Sequence, residues 1–240
     1  MGNPITREDF YIDDHAILFG LIARHCDRRL GKPGLDSCAK AVALMARERG
    51  LRSAMRCIAN GDALDMRGFL CYSELRDPRG WNEARAAAYA PVYQTTALRC
   101  GWMESWKKYG LTAYSGLYCE GIDRNLLYGF NPNLRLQIGQ CQAKGDASCS
   151  FHWLDCQFSG KEELEQVMEK RAGMLPGITK DFLYHSGHLL SAMRRILYLE
   201  HGLEAGKAPI EGALEEYASL FSPEKSAMLS EEAEQDFLRI

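Results

Sequence analysis

The sequence has no long apolar run, no excess of basic residues and no internal repeat. A helix that crosses a bilayer takes about 20 consecutive apolar residues, and the chain contains no such stretch. The formal net charge is −3, which gives no reason to expect nucleic acid or an anionic membrane surface as a partner. We expect a globular protein whose partner is a small molecule, and the sequence leaves a homo-oligomer open.

Cysteine is abundant, but its spacing excludes the common cysteine frameworks. The nine cysteines are odd in number and include no C-x-x-C pair. Neither a compact disulfide scaffold nor a structural zinc site of the usual kind is therefore predicted. The first 14 residues are polar and acidic, unlike a signal peptide. We expect reduced thiols and a cytoplasmic location.

The order of the predicted elements indicates an α+β fold, in which an antiparallel sheet packs against N-terminal and C-terminal helices. A chain of 240 residues suits one domain. We expect it to be helical over 1–60, mostly sheet over 61–158 and helical again over 159–240. The predicted strands are 66–75, 113–118, 134–141 and 148–153. Gly145 and Asp146, between the last two, predict a β-hairpin turn.

His185 and His188 lie three residues apart in a segment with helical periodicity. Side chains at this spacing share a helix face, so both imidazoles can reach one point. Such a pair can bind a metal or supply a general base and its partner. Two histidines at this spacing are more often a hydrogen-bonded pair packed on the core. The H-E-x-x-H spacing of zinc proteases does not occur.

Cys119 is predicted to end a strand, and Asp123 to open a short helix. A thiolate near a helix N-terminus is stabilised by the helix dipole, and with a histidine nearby it can act as a nucleophile. A free cysteine is more often a small buried apolar residue. The sequence leaves both interpretations open.

Three further groups have a functional and a structural interpretation. Opposed cysteines on the hairpin either chelate a metal or pack across the strands. The aromatic residues either line a pocket or form core, and the arginines either hold a substrate carboxylate or are solvated. The cysteines are Cys141, Cys149 and Cys156; the aromatic residues are Trp102, Trp106, Tyr109, Tyr114, Tyr118 and Phe130; the arginines are Arg99, Arg124 and Arg135.

Five segments together resemble the L-2-amino-thiazoline-4-carboxylic acid hydrolase family, over about residues 95 to 201. They are Arg99-Cys100-Gly-Trp-Met-Glu-Ser-Trp-Lys-Lys-Tyr-Gly110, Tyr118-Cys119 with Asp123, Gly129-Phe-Asn131-Pro132-Asn-Leu, Lys144-Gly145-Asp146-x-x-Cys149-x-Phe151 and Asp181-Phe-x-Tyr184-His185-x-Gly187-His188. The chain departs from the family pattern at Cys100-Gly, where the pattern has Cys-Pro. The Gly-Asp-x-x-Cys hairpin alone also resembles the 4-vinyl reductase type of small-molecule-binding domain.

The family resemblance implies hydrolysis of a carbon–nitrogen or carbon–sulfur bond in a cyclic amidine-like substrate. The product would be N-carbamoyl-cysteine, on a route to cysteine. Our leading hypothesis is attack by Cys119 as a thiolate, with His185 or His188 as base and then acid. Asp123 would orient a histidine or hold the substrate amino group. The expected substrate-binding residues are Cys100, Arg99, Trp102, Tyr118, Arg124 and Asn131.

Two alternatives remain at this stage. In the first, His185 and His188, with Cys119 or Asp123, hold Zn²⁺ or a similar divalent ion that activates water. The cofactor is therefore either absent or a divalent metal. In the second, the protein is a non-catalytic small-molecule-binding module, which gives no reason for the two histidines.

Overall fold

The computed structural model describes residues 4–239, which combine helices with a four-stranded antiparallel sheet. This mixture confirms the predicted α+β fold. The helices are α1 (Ile12–Leu30), α2 (Lys32–Ala59), α3 (Met66–Cys71), α4 (Gly101–Lys108), α5 (Ser115–Cys119), α6 (Ile122–Phe130), α7 (Lys161–Met174), α8 (Phe182–His201), α9 (Leu203–Leu220) and α10 (Pro223–Glu232). The strands are β1 (Glu83–Ala88), β2 (Tyr93–Arg99), β3 (Leu136–Ile138) and β4 (Cys149–Trp153).

The sheet has the order β1-β2-β4-β3, and every neighbouring pair is antiparallel. Trp153 on β4 stands opposite Tyr93 on one side and Leu136 on the other. The strands that flank the Gly-Asp pair therefore pair with each other, but their connection is longer than a two-residue turn. It contains a 3₁₀ turn that ends at Gly145, whose φ of 96° favours glycine. Asp146 accepts a hydrogen bond from the backbone N–H of Cys141 at 2.7 Å.

Two of the predicted strands are wrong. The segment predicted as strand 66–75 begins with α3, because the Asp65 side chain caps a helix there by accepting from the N–H groups of Arg67 and Gly68. The segment predicted as strand 113–118 is a 3₁₀ turn followed by α5. Cys119 consequently ends a short helix and not a strand.

The chain divides into two compact units, each assembled from separate stretches. The helical unit consists mainly of 4–45, 101–121 and 181–237 and contains α1, α4, α5, α8, α9 and α10. The sheet unit consists mainly of 46–100 and 122–180 and contains the four strands with α3, α6 and α7. Helix α2 contributes to both units. The prediction of a single domain over the whole chain stays a prediction.

Each unit has its own aromatic core. In the helical unit Trp106 is fully buried, and its indole N–H donates to the carbonyl of Ala16 at 2.7 Å. In the sheet unit Phe69, Phe130 and Tyr93 are buried in one cluster. Much of the aromatic group noted in the sequence is therefore core. No helix within residues 4–239 is both long enough and apolar enough to span a bilayer.

Candidate active site

Asp123, in the sheet unit, has a carboxyl group whose pKa is raised well above its usual value. It is half-buried in the first turn of α6. Burial is the main cause that raises the pKa of Asp123 to about 6; the Arg49 guanidinium opposes this shift, and Cys141 adds to it. A carboxyl group with a pKa near the working pH can both accept and donate a proton. Strongly shifted groups of this kind concentrate at functional sites.

Helices α2 and α6 approach each other through two glycines. A Cβ added at Gly50 would lie 2.1 Å from the carbonyl oxygen of Leu126, and one added at Gly129 would lie 2.2 Å from that of Arg47. The glycines therefore allow backbone-to-backbone contact. Gly50 accordingly lies inside an unbroken α2. The close contact carries Arg49, the neighbour of Gly50, to the surroundings of Asp123.

Cys119 is half-buried at the end of α5, four residues before Asp123 along the chain. The preceding residue, Tyr118, is buried, and its hydroxyl lies 2.9 Å from Nε2 of His15. The other ring nitrogen of His15 is 3.5 Å from the Ser186 hydroxyl. Residues of α1, α5 and α8 thus form a buried polar network within the helical unit, directly beside the candidate nucleophile.

Sequence reasoning missed His15. It lies on the helix face that carries Leu18, Phe19 and Ile22, all fully buried. A histidine on an otherwise apolar helix face was the available signal, because a buried polar group requires a hydrogen-bond partner. The position of that partner, Tyr118, depends on the tertiary fold.

His185 and His188 lie in the helical unit on α8, and their exposed fractions are 1% and 0%. The His188 ring stacks on Phe237, with centroids 4.6 Å apart and planes at 13°. The His185 ring makes edge contacts with Phe182 and Tyr184. Both histidines are therefore packed among aromatic rings. Their catalytic role stays a prediction.

A model of the L-2-amino-thiazoline-4-carboxylic acid hydrolase family matches residues 12–153, more than half of the chain. The chain belongs to this family. The matched segment includes Arg49, Cys119 and Asp123 and ends before His185 and His188. No curated protein and no solved structure was found to match the chain.

The predicted substrate-binding residues of this thiazoline hydrolase family member have different surroundings. Trp102 is half-buried in α4, next to the rings of His15 and Phe182, and its buried indole N–H has no hydrogen-bond acceptor. The Asn131 amide donates to the carbonyl of Leu64 at 2.7 Å and so fixes a loop. Cys100 is half-buried after β2.

The arginines proposed to hold a carboxylate lie at the surface. Arg99 and Arg124 are exposed. Arg135 is also exposed, and it pairs with Asp155 at 2.7 Å. Salt bridges as exposed as this one usually contribute little to stability. None of these three positions is a buried guanidinium of the kind that selects a carboxylate by desolvated contact.

The hairpin thiols are packed in the sheet unit. Cys149 accepts a hydrogen bond from the backbone N–H of Gln142 at 3.3 Å and shares a side-chain hydrogen bond with Cys141. Burial raises the pKa of Cys149 and that of Cys156 to about 11. Thiols with such a high pKa are poor nucleophiles at neutral pH. Cys149 and Cys156 are therefore poor candidates for the nucleophile, and the nucleophilic role of Cys119 stays a prediction.

The described residues, 4–239, contain no group of three or more His, Cys, Asp or Glu side chains placed to hold a metal ion. The alternative in which His185, His188 and Cys119 bind a divalent metal stays a prediction from the sequence. Cys119, His185 and His188 belong to the helical unit, and Asp123 belongs to the sheet unit.

Proposed function

We propose that the protein is a hydrolase that opens a small cyclic amidine-like substrate, such as 2-amino-thiazoline-4-carboxylate, to N-carbamoyl-cysteine. The family match over residues 12–153 carries this proposal. The reaction adds one water molecule to the ring carbon that bears two nitrogens and the sulfur. The bond from this carbon to the ring sulfur then breaks, which leaves a free thiol and a urea.

Asp123 is our choice for the acid–base group. As a carboxylate it takes a proton from the attacking group, and as a carboxylic acid it returns that proton to the departing sulfur. A pKa of about 6 supports both roles near neutral pH. This assignment differs from the sequence hypothesis, which gave the role to His185 or His188. We prefer Asp123 because both imidazoles are buried among aromatic rings.

Cys119 is the proposed nucleophile. Its sulfur would attack the ring carbon, and the ring carbon–sulfur bond would break as the leaving sulfur gains a proton. Water would then attack the same carbon and expel the Cys119 thiolate, completing the hydrolysis. The half-buried position of Cys119 and its place within the segment that matches the family support this role. In the rival route Asp123 activates water directly, and no covalent intermediate forms.

The test is to incubate the purified protein with 2-amino-thiazoline-4-carboxylate. A thiol-reactive chromophore would follow thiol release, and mass spectrometry would identify the product. We expect one thiol and one N-carbamoyl-cysteine per substrate. Cys119→Ser should lower kcat/KM at least about 100-fold, whereas Cys149→Ser, a change at another half-buried thiol, should stay within about threefold of wild type.

Each outcome has a definite meaning. Near-normal turnover by Cys119→Ser would eliminate the covalent route and leave water attack. Absence of hydrolysis by the wild-type protein would eliminate the proposed function for this substrate. Elemental analysis of protein purified without added metal separates both routes from the metal-water alternative, which requires a stoichiometric ion.

A further inference from the structure

Helix α2 carries four arginines into the sheet unit, and two of them share one carboxylate. Arg52 binds Glu74 through Nε and Nη2 at 2.9 and 2.8 Å. Arg56 binds the same carboxylate through Nη1 at 2.6 Å. Glu74 thus accepts hydrogen bonds from two guanidinium groups. This carboxylate is already committed to Arg52 and Arg56.

Arg49, one turn before Arg52, has one guanidinium nitrogen without a hydrogen-bond acceptor. The residue is only 5% exposed, and its Nε has no hydrogen-bond acceptor. Its charge acts on Asp123 and on Glu74 through space. A buried donor of a charged group that lacks an acceptor is costly, so native proteins usually supply a partner. An anion that binds here would supply one.

A small cavity lies against Arg49. It is lined by Arg49, Ser53, Phe69, Ser73, Glu74 and Leu126 and has a volume of about 10 Å³. That volume accommodates about one water-sized atom, such as a single carboxylate oxygen. The two serine hydroxyls can donate hydrogen bonds to it. The cavity is too small for the thiazoline ring, so only the acid end of a ligand would enter.

We propose that Arg49 binds the substrate carboxylate, so that the site selects cyclic substrates that carry an acid group. The inference rests on the proposed function, because it assigns the anchor of the same substrate. Arginine suits the role, since its guanidinium stays charged when buried and donates charge-assisted hydrogen bonds to a carboxylate oxygen. Arg49 takes the place of the exposed Arg99, Arg124 and Arg135 as the carboxylate anchor.

The test compares 2-amino-thiazoline-4-carboxylate with 2-aminothiazoline, the same 4,5-dihydro ring without the acid group. For Arg49→Gln we expect kcat/KM on the carboxylate substrate to fall about 100-fold, the equivalent of losing a charged hydrogen-bond pair. On the neutral ring the same variant should stay within about threefold of wild type. Arg49→Lys should lie between the two, because lysine keeps the charge but loses the planar fork.

Arg47→Gln is the matched control. Arg47 lies on the same helix, is exposed and donates to Asn125 at 2.8 Å, and its loss should change neither substrate's kcat/KM by more than about twofold. Equal losses on both substrates for Arg49→Gln, or no loss, would overturn the inference. Equal kcat/KM of the wild type for the two substrates would overturn it as well, even if both Arg49 variants failed to fold.

Calorimetric titration separates this inference from the proposed function. The wild type is first titrated with the carboxylate compound and with the neutral ring, and heats are corrected for any turnover. If the wild type hydrolyses neither compound but binds only the carboxylate, and Arg49→Gln abolishes that binding, the proposed function fails and the anchor stands. If the carboxylate compound does not bind, or binds equally to Arg49→Gln, the anchor is wrong.

Discussion

The imidazole of His188 stacks face to face on the phenyl ring of Phe237, with their centroids 4.6 Å apart. His188 lies on α8 and is fully buried. A ring in this position contributes packing, whatever else it does. The predicted catalytic role of the histidines can therefore be separated from their structural role by measuring both effects in one variant.

We expect His188→Ala to lower the free energy of unfolding by about 2–4 kcal/mol, because removal of a buried ring leaves a cavity. Urea unfolding followed by circular dichroism would measure this change. At a temperature where the variant remains folded, we expect kcat/KM to fall less than about tenfold. A loss of activity beyond about 1000-fold in folded protein would instead support the histidine as the catalytic base.

The pH dependence of hydrolysis should follow Asp123. A general base must be ionised, and burial raises the pKa of Asp123 to about 6. We therefore expect kcat/KM to fall below about pH 6 and to level off above it. Stopped-time assays from pH 4.5 to 8.5 would measure the profile. An acid limb near pH 4, or an Asp123→Asn variant with the same limb as wild type, would contradict the assignment.

The same shift makes a prediction about stability. An unfolded aspartate has a pKa near 3.9, so between about pH 4 and 6 the folded protein keeps a proton that the unfolded chain loses. Stability from this group is thus fully present below about pH 4 and is lost as the pH rises through 6. Asp123→Asn should gain about 2–3 kcal/mol relative to wild type between pH 4 and pH 7.5. A difference that does not vary with pH would argue against a raised pKa of Asp123 in the folded protein.

The glycine contact between α2 and α6 predicts a large effect from one methyl group. Gly50→Ala would bring a Cβ to 2.1 Å from the carbonyl oxygen of Leu126, and the backbone would have to move. We expect a loss of about 2–3 kcal/mol in the free energy of unfolding. It should also weaken hydrolysis, because Arg49 and Asp123 lie on the two helices that the change separates.

Gly116→Ala is the control for this substitution. Gly116 lies in α5, and an added Cβ there would have no atom within 4 Å outside its own neighbourhood. Alanine favours a helix over glycine, so this variant should be neutral or more stable by up to about 1 kcal/mol. Equal destabilisation by the two substitutions, measured by thermal or urea unfolding, would refute the proposed clash.

The fold class could be predicted from the sequence because hydrophobic periodicity and capping residues act locally. Asp181 illustrates this, since its side chain accepts from the N–H of Tyr184 at the start of α8, as expected for a cap. The local pattern gave a wrong prediction after Asp65. An imperfect alternation of apolar residues favoured a strand over 66–75, whereas Asp65 caps a helix there. Most of the apolar residues in α3 are buried. A short apolar run is compatible with either a helix or a strand, so the sequence alone did not distinguish them.

The candidate site was only partly predictable for a different reason. Cys119 and Asp123 stand out by residue type and by resemblance to the family. Arg49 and His15 do not, because what makes each informative lies far away in the sequence. Arg49 gains its importance from Asp123, 74 positions later, and His15 from Tyr118, 103 positions later. Such pairs come together only when the chain folds, so they cannot be identified from a single sequence.

Gly145 and Asp146, in the connection between β3 and β4, show that residues of a sequence motif can serve the fold alone. Its glycine is there for a left-handed backbone, and Asp146 is there to hold the N–H of Cys141. Neither property touches the chemistry of hydrolysis. A relative that had lost its activity would keep this pair as long as it kept its sheet. Under the proposed mechanism, residues 49, 119 and 123 are the positions by which active members would be distinguished from inactive ones.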